Sequence, residues 1–277
     1  MIKLTNATTD HEIITLWLSD KTHLTVKSYD RQIQQFLNFV GKDLTSVMYE
    51  DFMQYKGFMK MKGYKPSTQR TKLTAVKSLF SFCTKLGYLS ANVAVIVDNV
   101  AVKDEVRRKA LPQDTISLLL NNAKTERDKL IIKTLYLLGL RVSELVNIQW
   151  SDFTICNGKI ELKVIGKGDK ERYVLVPNDL FNSLIAQKSH DNYVFISYQN
   201  DKLSRQSINK MLSNLTKKLD INSINPHAFR HSHATHSLAN GCDISLLMQS
   251  LGHSDLRITQ QYLSQRDGEG SSQYLNI

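Results

Sequence analysis

Cysteine is scarce in this chain, and the few present form no pairing pattern. Cys83, Cys156 and Cys242 lie far apart with no C-x-x-C among them. An odd, scattered set argues against a disulfide framework and fits a reducing compartment. Long apolar runs are missing as well. The longest, near Leu135 to Leu140, is far too short to span a bilayer. The start, Met1-Ile2-Lys3-Leu4-Thr5-Asn6, has no apolar core of the kind a signal peptide carries. Neither G-x-x-x-x-G-K-[ST] nor H-E-x-x-H occurs, so a P-loop and a zincin helix are both excluded. Internal repeats are absent, and the only biased run is Gly268-Glu269-Gly270-Ser271-Ser272. These absences lead to the expectation of a cytoplasmic protein with no membrane partner.

Acidic charge is in deficit. The 277 residues hold 36 Lys and Arg against 26 Asp and Glu, a formal charge of +10 with a pI near 9.4. Such a balance points to a polyanionic partner. The excess is uneven, with 17 basic against 10 acidic residues in 1–110 and 19 against 16 in 111–277. Hydrophobic content of 42% supports packed cores.

Residues 9–90 read as four or five helices. Thr9-Asp10-His11-Glu12 matches a capping box. From Thr25, the spacing of Val26, Tyr29, Ile33, Phe36, Leu37 and Val40 is helical, and Gly41 ends that helix. A third run covers about 46–62. Lys65-Pro66-Ser67-Thr68 opens a helix to about Leu86 with Leu73, Val76, Phe80 and Cys83 as its apolar stripe. The opposite face carries Arg70, Thr74, Lys77 and Ser81, which suits either solvent or a nucleic-acid backbone. Residues 96–110 lack helical periodicity and end in Arg107-Arg108-Lys109, which predicts a basic linker between a domain at 1–95 and another at 111–277.

In the second half, helices are expected at about 112–123 and 126–138, the latter with Leu130, Ile131, Ile132, Leu135, Leu137 and Leu138 buried. Gly139 breaks it and sets Arg141 at a loop-to-helix junction, with Glu144 as an orienting partner for a nearby basic group. Residues 159–176 alternate as two strands around the tip Gly166-Lys167-Gly168-Asp169-Lys170-Glu171. A short strand at Tyr193–Ile196 and a helix over about 204–219 follow. Helices at 243–250 and about 255–264 close the chain, the last carrying Tyr262.

The stretch Asn225-Pro226-His227-Ala228-Phe229-Arg230-His231-Ser232-His233-Ala234-Thr235-His236 concentrates imidazole, guanidinium and hydroxyl groups where a proline opens a helix. His227 and Arg230 fall one turn apart. A rigid guanidinium beside an imidazole suits a phosphate oxyanion under attack. The histidine spacing also admits a zinc site, yet no Cys lies near and carboxylates are missing from 225–242, so no metal and no cofactor are expected.

Taken together, Arg141, Lys167, His227-x-x-Arg230, Leu251-Gly252-His253 and Tyr262 resemble, in order and spacing, the catalytic set of the tyrosine site-specific recombinases, and the chain is similar to the Xer-type and simple phage or transposon integrases. The resemblance implies a mainly α fold with a small antiparallel β-sheet: a helical N-terminal core-binding domain plus an α+β catalytic domain. It implies Tyr262 as nucleophile, forming a 3′-phosphotyrosine bond to double-stranded DNA. Arg141, Arg230 and His253 would sit on the non-bridging oxygens. His227 would be the base and Lys167, the hairpin lysine, the leaving-group acid; Lys170 and Arg172 are the fallbacks for that lysine and are otherwise read as phosphate contacts. Arg70, Lys77, Arg107, Arg108 and Lys109 become DNA-binding candidates, and the working assembly a homotetramer on paired sites or a hetero-tetramer with a related recombinase. A type IB topoisomerase-like swivelase and a catalytically silent DNA-binding protein are the alternatives. The glycine-containing tail after Ser264 departs from the Xer pattern of a C-terminal helix that docks into a neighbour.

Overall fold

The computed structural model describes residues 4–102, 110–166, 169–189, 191–197 and 201–252. The chain divides into two compact units, Met1–Val106 and Arg107–Ile277. Among the described residues, no helix is long and apolar enough to cross a membrane.

The first unit is helical. Helix α1 (Asp10–Ser19) opens on the expected capping box: the Thr9 hydroxyl accepts from the Glu12 amide at 3.3 Å while the Glu12 carboxylate accepts from the Thr9 amide at 3.1 Å. Helix α2 (His23–Val40) stops at Gly41, whose φ of 63° lies in the left-handed region. A 3-10 turn at Leu44–Ser46 leads into α3 (Tyr49–Met61), and α4 (Pro66–Lys85) begins with proline in its first turn. Their apolar faces meet around Phe36, whose ring lies 5.2 Å from that of Phe52 and 5.1 Å from that of Tyr55. Leu73, Val76, Phe80 and Cys83 are all buried, as their spacing predicts.

The packing of this unit extends past residue 95. Val97 is buried in its core and Val100 packs against it. Val97 and Val100 thus fasten the start of this stretch to the first core, although its lack of helical periodicity suggested a linker from residue 96. Non-helical chain can still be fastened by a few apolar side chains.

In the second unit, α5 (Gln113–Asn122) and α6 (Glu126–Leu137) pack with α9 (Arg205–Lys218) and α10 (Pro226–Ala239) around Leu119, Ile132, Leu135, Leu212 and Phe229. Leu130, Ile131, Ile132, Leu135 and Leu138 are buried, but Leu137 is 41% exposed, because its place on the helical wheel turns it away from that face. A three-stranded antiparallel sheet, in the order β1-β2-β3, joins β1 (Phe153–Cys156), β2 (Lys159–Ile165) and β3 (Glu171–Val176). Ile160, Leu162, Val164, Val174 and Val176 point into the core, as the alternation predicts. Strand β1 was not anticipated, and Tyr193–Ile196 is not a strand. That segment makes only isolated bridges, Gln149 with Tyr193 and Ile196 with Lys202. Helix α8 (Asn178–Ile185) follows Pro177, and α11 (Ile244–Leu251) runs from the Asp243 cap to Gly252.

Candidate active site

Gly139 makes the site possible. Its φ is +60°, and a Cβ there would stand 2.7 Å from His233 Cδ2 and 2.8 Å from Leu251 Cδ2. Both the backbone conformation and the close approach of α10 and α11 therefore require glycine. The turn it allows makes Arg141 the residue that caps α7 (Val142–Leu145).

Glu144, one turn on, is the charge that organises this corner. Its side chain is only 3% exposed, yet it accepts four hydrogen bonds. The Arg141 amide donates at 2.8 Å and Arg141 Nη1 at 2.7 Å. Arg172 Nη1 and Nη2 donate at 2.9 and 2.8 Å in a bidentate fork. Burial raises the Glu144 carboxyl, but these hydrogen bonds, with Arg172 foremost, outweigh it and hold the group below the ordinary carboxylate range. The expectation that Glu144 orients a basic group is met, twice over.

Arg172 corrects the sequence reading. It does not reach outward from the hairpin as a phosphate contact. Its side chain is 8% exposed, paired with Glu144, and its Nε donates to the Ser250 carbonyl at 2.8 Å. The signal was present: residues 172, 174 and 176 share the inward register of β3.

Arg230 lies on α10, whose Asn225 cap accepts from the Ala228 amide at 3.2 Å and whose first turn holds Pro226. Arg230 is 1% exposed. Its Nη1 donates to the Gly139 carbonyl at 2.7 Å and its Nη2 to the Leu251 carbonyl at 2.5 Å. Two buried guanidiniums thus hold successive carbonyls, those of Ser250 and Leu251, at the C-terminal end of α11, where a helix leaves acceptors unpaired and attracts cations. His227, one turn before Arg230, is exposed.

The neighbouring histidines are packing groups. His233 Nδ1 meets the Tyr136 carbonyl at 2.9 Å, and His236 Nδ1 meets the Tyr136 hydroxyl at 2.8 Å. Burial pulls both imidazoles below their usual value. Among the described residues, no group of three or more His, Cys, Asp or Glu side chains is placed to hold a metal ion.

A cleft of about 560 Å³ opens beside this corner, lined in part by Arg141, Glu144, Lys163, Gly166, Asp169 and Tyr193. Arg141 keeps 37% of its side chain exposed there. The hairpin tip closes through the Gly166 amide on the Lys170 carbonyl at 2.8 Å. The structure therefore gathers Arg141, Arg230 and the end of α11 about one turn. Lys167, His253 and Tyr262 lie outside the described residues, as do Arg107, Arg108 and Lys109. In the first unit Arg70 is exposed, whereas Lys77 turns inward to the Val97 carbonyl and Ser81 accepts from Asn92. The face of α4 that carries Lys77 and Ser81 is thus partly committed to holding residues 92–97.

Comparison with known proteins agrees with this architecture. Residues 109–269 match the phage integrase family, and residues 14–87 match the phage integrase N-terminal SAM-like domain. The tyrosine recombinase XerD of Listeria monocytogenes is 29% identical over 260 residues, covering 86% of each chain. The tyrosine recombinase XerC of Staphylococcus epidermidis is 28% identical, covering 91% of this chain and 90% of its own. Among solved structures, a lambda integrase dimer bound to a COC' core site superposes with a TM-score of 0.77 at 17% identity, over 96% of this chain and 80% of that one. The XerH site-specific recombinase bound to palindromic difH substrate gives 0.74 at 19% identity, over 93% and 82%. These last two speak for the fold. With a family match that spans more than half its length, an arginine-lined corner at Gly139–Arg141 and a helical first unit, this chain belongs to the phage integrase family.

Proposed function

We propose that this protein is a site-specific recombinase that cuts and rejoins double-stranded DNA through a 3′-phosphotyrosine bond at Tyr262 and a Holliday junction. The observation that carries the reading is the corner where Arg141 projects from a turn that Arg230 pins in place. Arg141, with 37% of its side chain open, suits the non-bridging oxygens of a phosphodiester under attack, while Arg230 fixes the turn through the Gly139 and Leu251 carbonyls and adds its charge from behind.

The chemistry needs no metal or ATP. The Tyr262 phenolate oxygen forms a bond to phosphorus as the bond to the 5′ oxygen breaks. His227 accepts the phenol proton, and Lys167 delivers one to the departing 5′ oxygen. Arg141 and His253 offset the charge that spreads over the non-bridging oxygens, and Arg230 adds its positive charge from behind the turn it holds. Because the phosphotyrosine conserves the bond energy, a free 5′ hydroxyl from a partner duplex reverses the step and joins new strands.

Residues 1–95 would grip one side of the site, with the exposed Arg70 among the basic groups near it. Arg107, Arg108 and Lys109 would cross the backbone between the two units. Four protomers on two sites, all of this chain or shared with a related recombinase, would complete the reaction. Mapping covalently trapped DNA ends genome-wide tests the reading. A few discrete positions with protein on the 3′ end are expected. Trapped ends without sequence preference would favour a swivelase, and sequence-specific binding with no trapped ends would leave only a DNA-binding protein.

A further inference from the structure

The corner holds an unequal trio. One buried carboxylate, Glu144, stands between an arginine that is 37% exposed and one that is 8% exposed. With Arg141 alone as partner, Glu144 would form a neutral pair, and the charge facing the cleft would be cancelled by its own neighbour. Arg172 changes that balance. Its fork occupies both carboxylate oxygens, so the trio carries a net positive charge, and Arg141 is by far its most exposed member at the cleft.

The geometry points to Arg172 as a positioning residue that neutralises Glu144 so that Arg141 can present its charge to the scissile phosphate, while fixing the end of α11. The inference rests on the recombinase reading. Arg172 itself, buried beneath the hairpin, does not reach the DNA.

The surroundings are built to hold it. Arg172 faces inward in β3 opposite Val164, and its Nε is spent on the Ser250 carbonyl. Gly252, at φ +65°, approaches so closely that a Cβ would stand 3.0 Å from Arg172 Cδ. At Gly166 a Cβ would come within 3.7 Å of Arg172 Nη1. Lysine could supply the charge but not the fork and the third donor together.

The test measures single-turnover adduct formation by the full chain on a nicked suicide duplex of its mapped site, with non-covalent affinity measured in parallel. Arg172→Met should slow the adduct roughly 10²-fold while shifting DNA affinity less than about threefold. Combining Glu144→Gln with Arg172→Met removes the opposed charges together and should recover at least about tenfold of the loss. A role in packing alone would lower non-covalent affinity and unfolding stability along with the rate, so loss and recovery of rate at unchanged affinity mark the charge role. Should Arg172→Met fail to fold, the double variant decides, since it leaves no unpaired charge in the core. A folded double variant within about tenfold of wild type supports the role, and one about 10²-fold slower overturns it. So does a wild-type rate in Arg172→Met. A wild-type chain that forms no adduct defeats the recombinase reading itself, and this role with it.

Discussion

Arg230 donates to the carbonyl of Gly139 at 2.7 Å, across 91 residues of chain. The bond ties α10, which carries His227, to the turn that carries Arg141. It can form only because Gly139 adopts a left-handed backbone and leaves room for His233 and Leu251.

Gly139→Ala should therefore be costly. The left-handed conformation of a non-glycine residue and the forced displacement of His233 together predict a loss of roughly 2–4 kcal/mol. Urea unfolding of the variant checks this. A change under about 0.5 kcal/mol, the range of ordinary surface substitutions, would mean that the turn is free to relax.

Stability should also fall on mild acidification. Burial depresses His233 and His236 in the folded state below their ordinary value of 6.5. The unfolded chain then binds more protons between the folded and unfolded values, so stability is present above about pH 6.5 and is lost as pH falls toward the folded values. Glu144 and Asp51 titrate below the ordinary carboxylate range and do not enter this window. Unfolding free energy measured from pH 7 to pH 5 should decline, and His233→Gln with His236→Gln should flatten the decline. An equal slope in that variant would place the titration elsewhere.

Much of this arrangement is legible in one dimension. The Thr9–Glu12 capping box, the stop at Gly41, the proline start of α10 and the inward alternation of Ile160, Leu162 and Val164 are local patterns, and each appears as its residues predict. What escaped depends on distant partners. Arg172 looks like any hairpin cation until Glu144, 28 residues away, is brought beneath it. Lys77 sits on the polar side of α4, but the Val97 carbonyl lies within its reach. Strand β1 has little signal because three of its four residues are exposed and its order comes from pairing with β2. Spacing could nominate Arg141, Arg230 and Glu144 as an orienting partner, but not Arg172 as that partner's second cation or the carbonyls that hold Arg230.

Lys167 is testable by changing the leaving group. Lys167→Ala should cleave ordinary DNA roughly 10²–10⁴-fold more slowly, the usual worth of a general acid. A substrate with sulfur at the bridging 5′ position releases a thiolate that needs no proton, and should return the variant nearly to the wild-type rate. Arg141→Ala should gain nothing comparable, since its loss leaves the non-bridging oxygens unbalanced. Equal rescue of both variants, or none for Lys167→Ala, would move the acid elsewhere, with Lys170 next in line.

The most direct test of the account is Tyr262→Phe on a nicked suicide duplex. The change removes one hydroxyl and leaves the basic surface unaltered. The variant should bind the site with near-normal affinity and form no covalent complex, while the wild-type chain yields an adduct whose DNA-bearing peptide contains Tyr262. An adduct that persists in Tyr262→Phe, for instance through Tyr274, would contradict the assignment of the nucleophile.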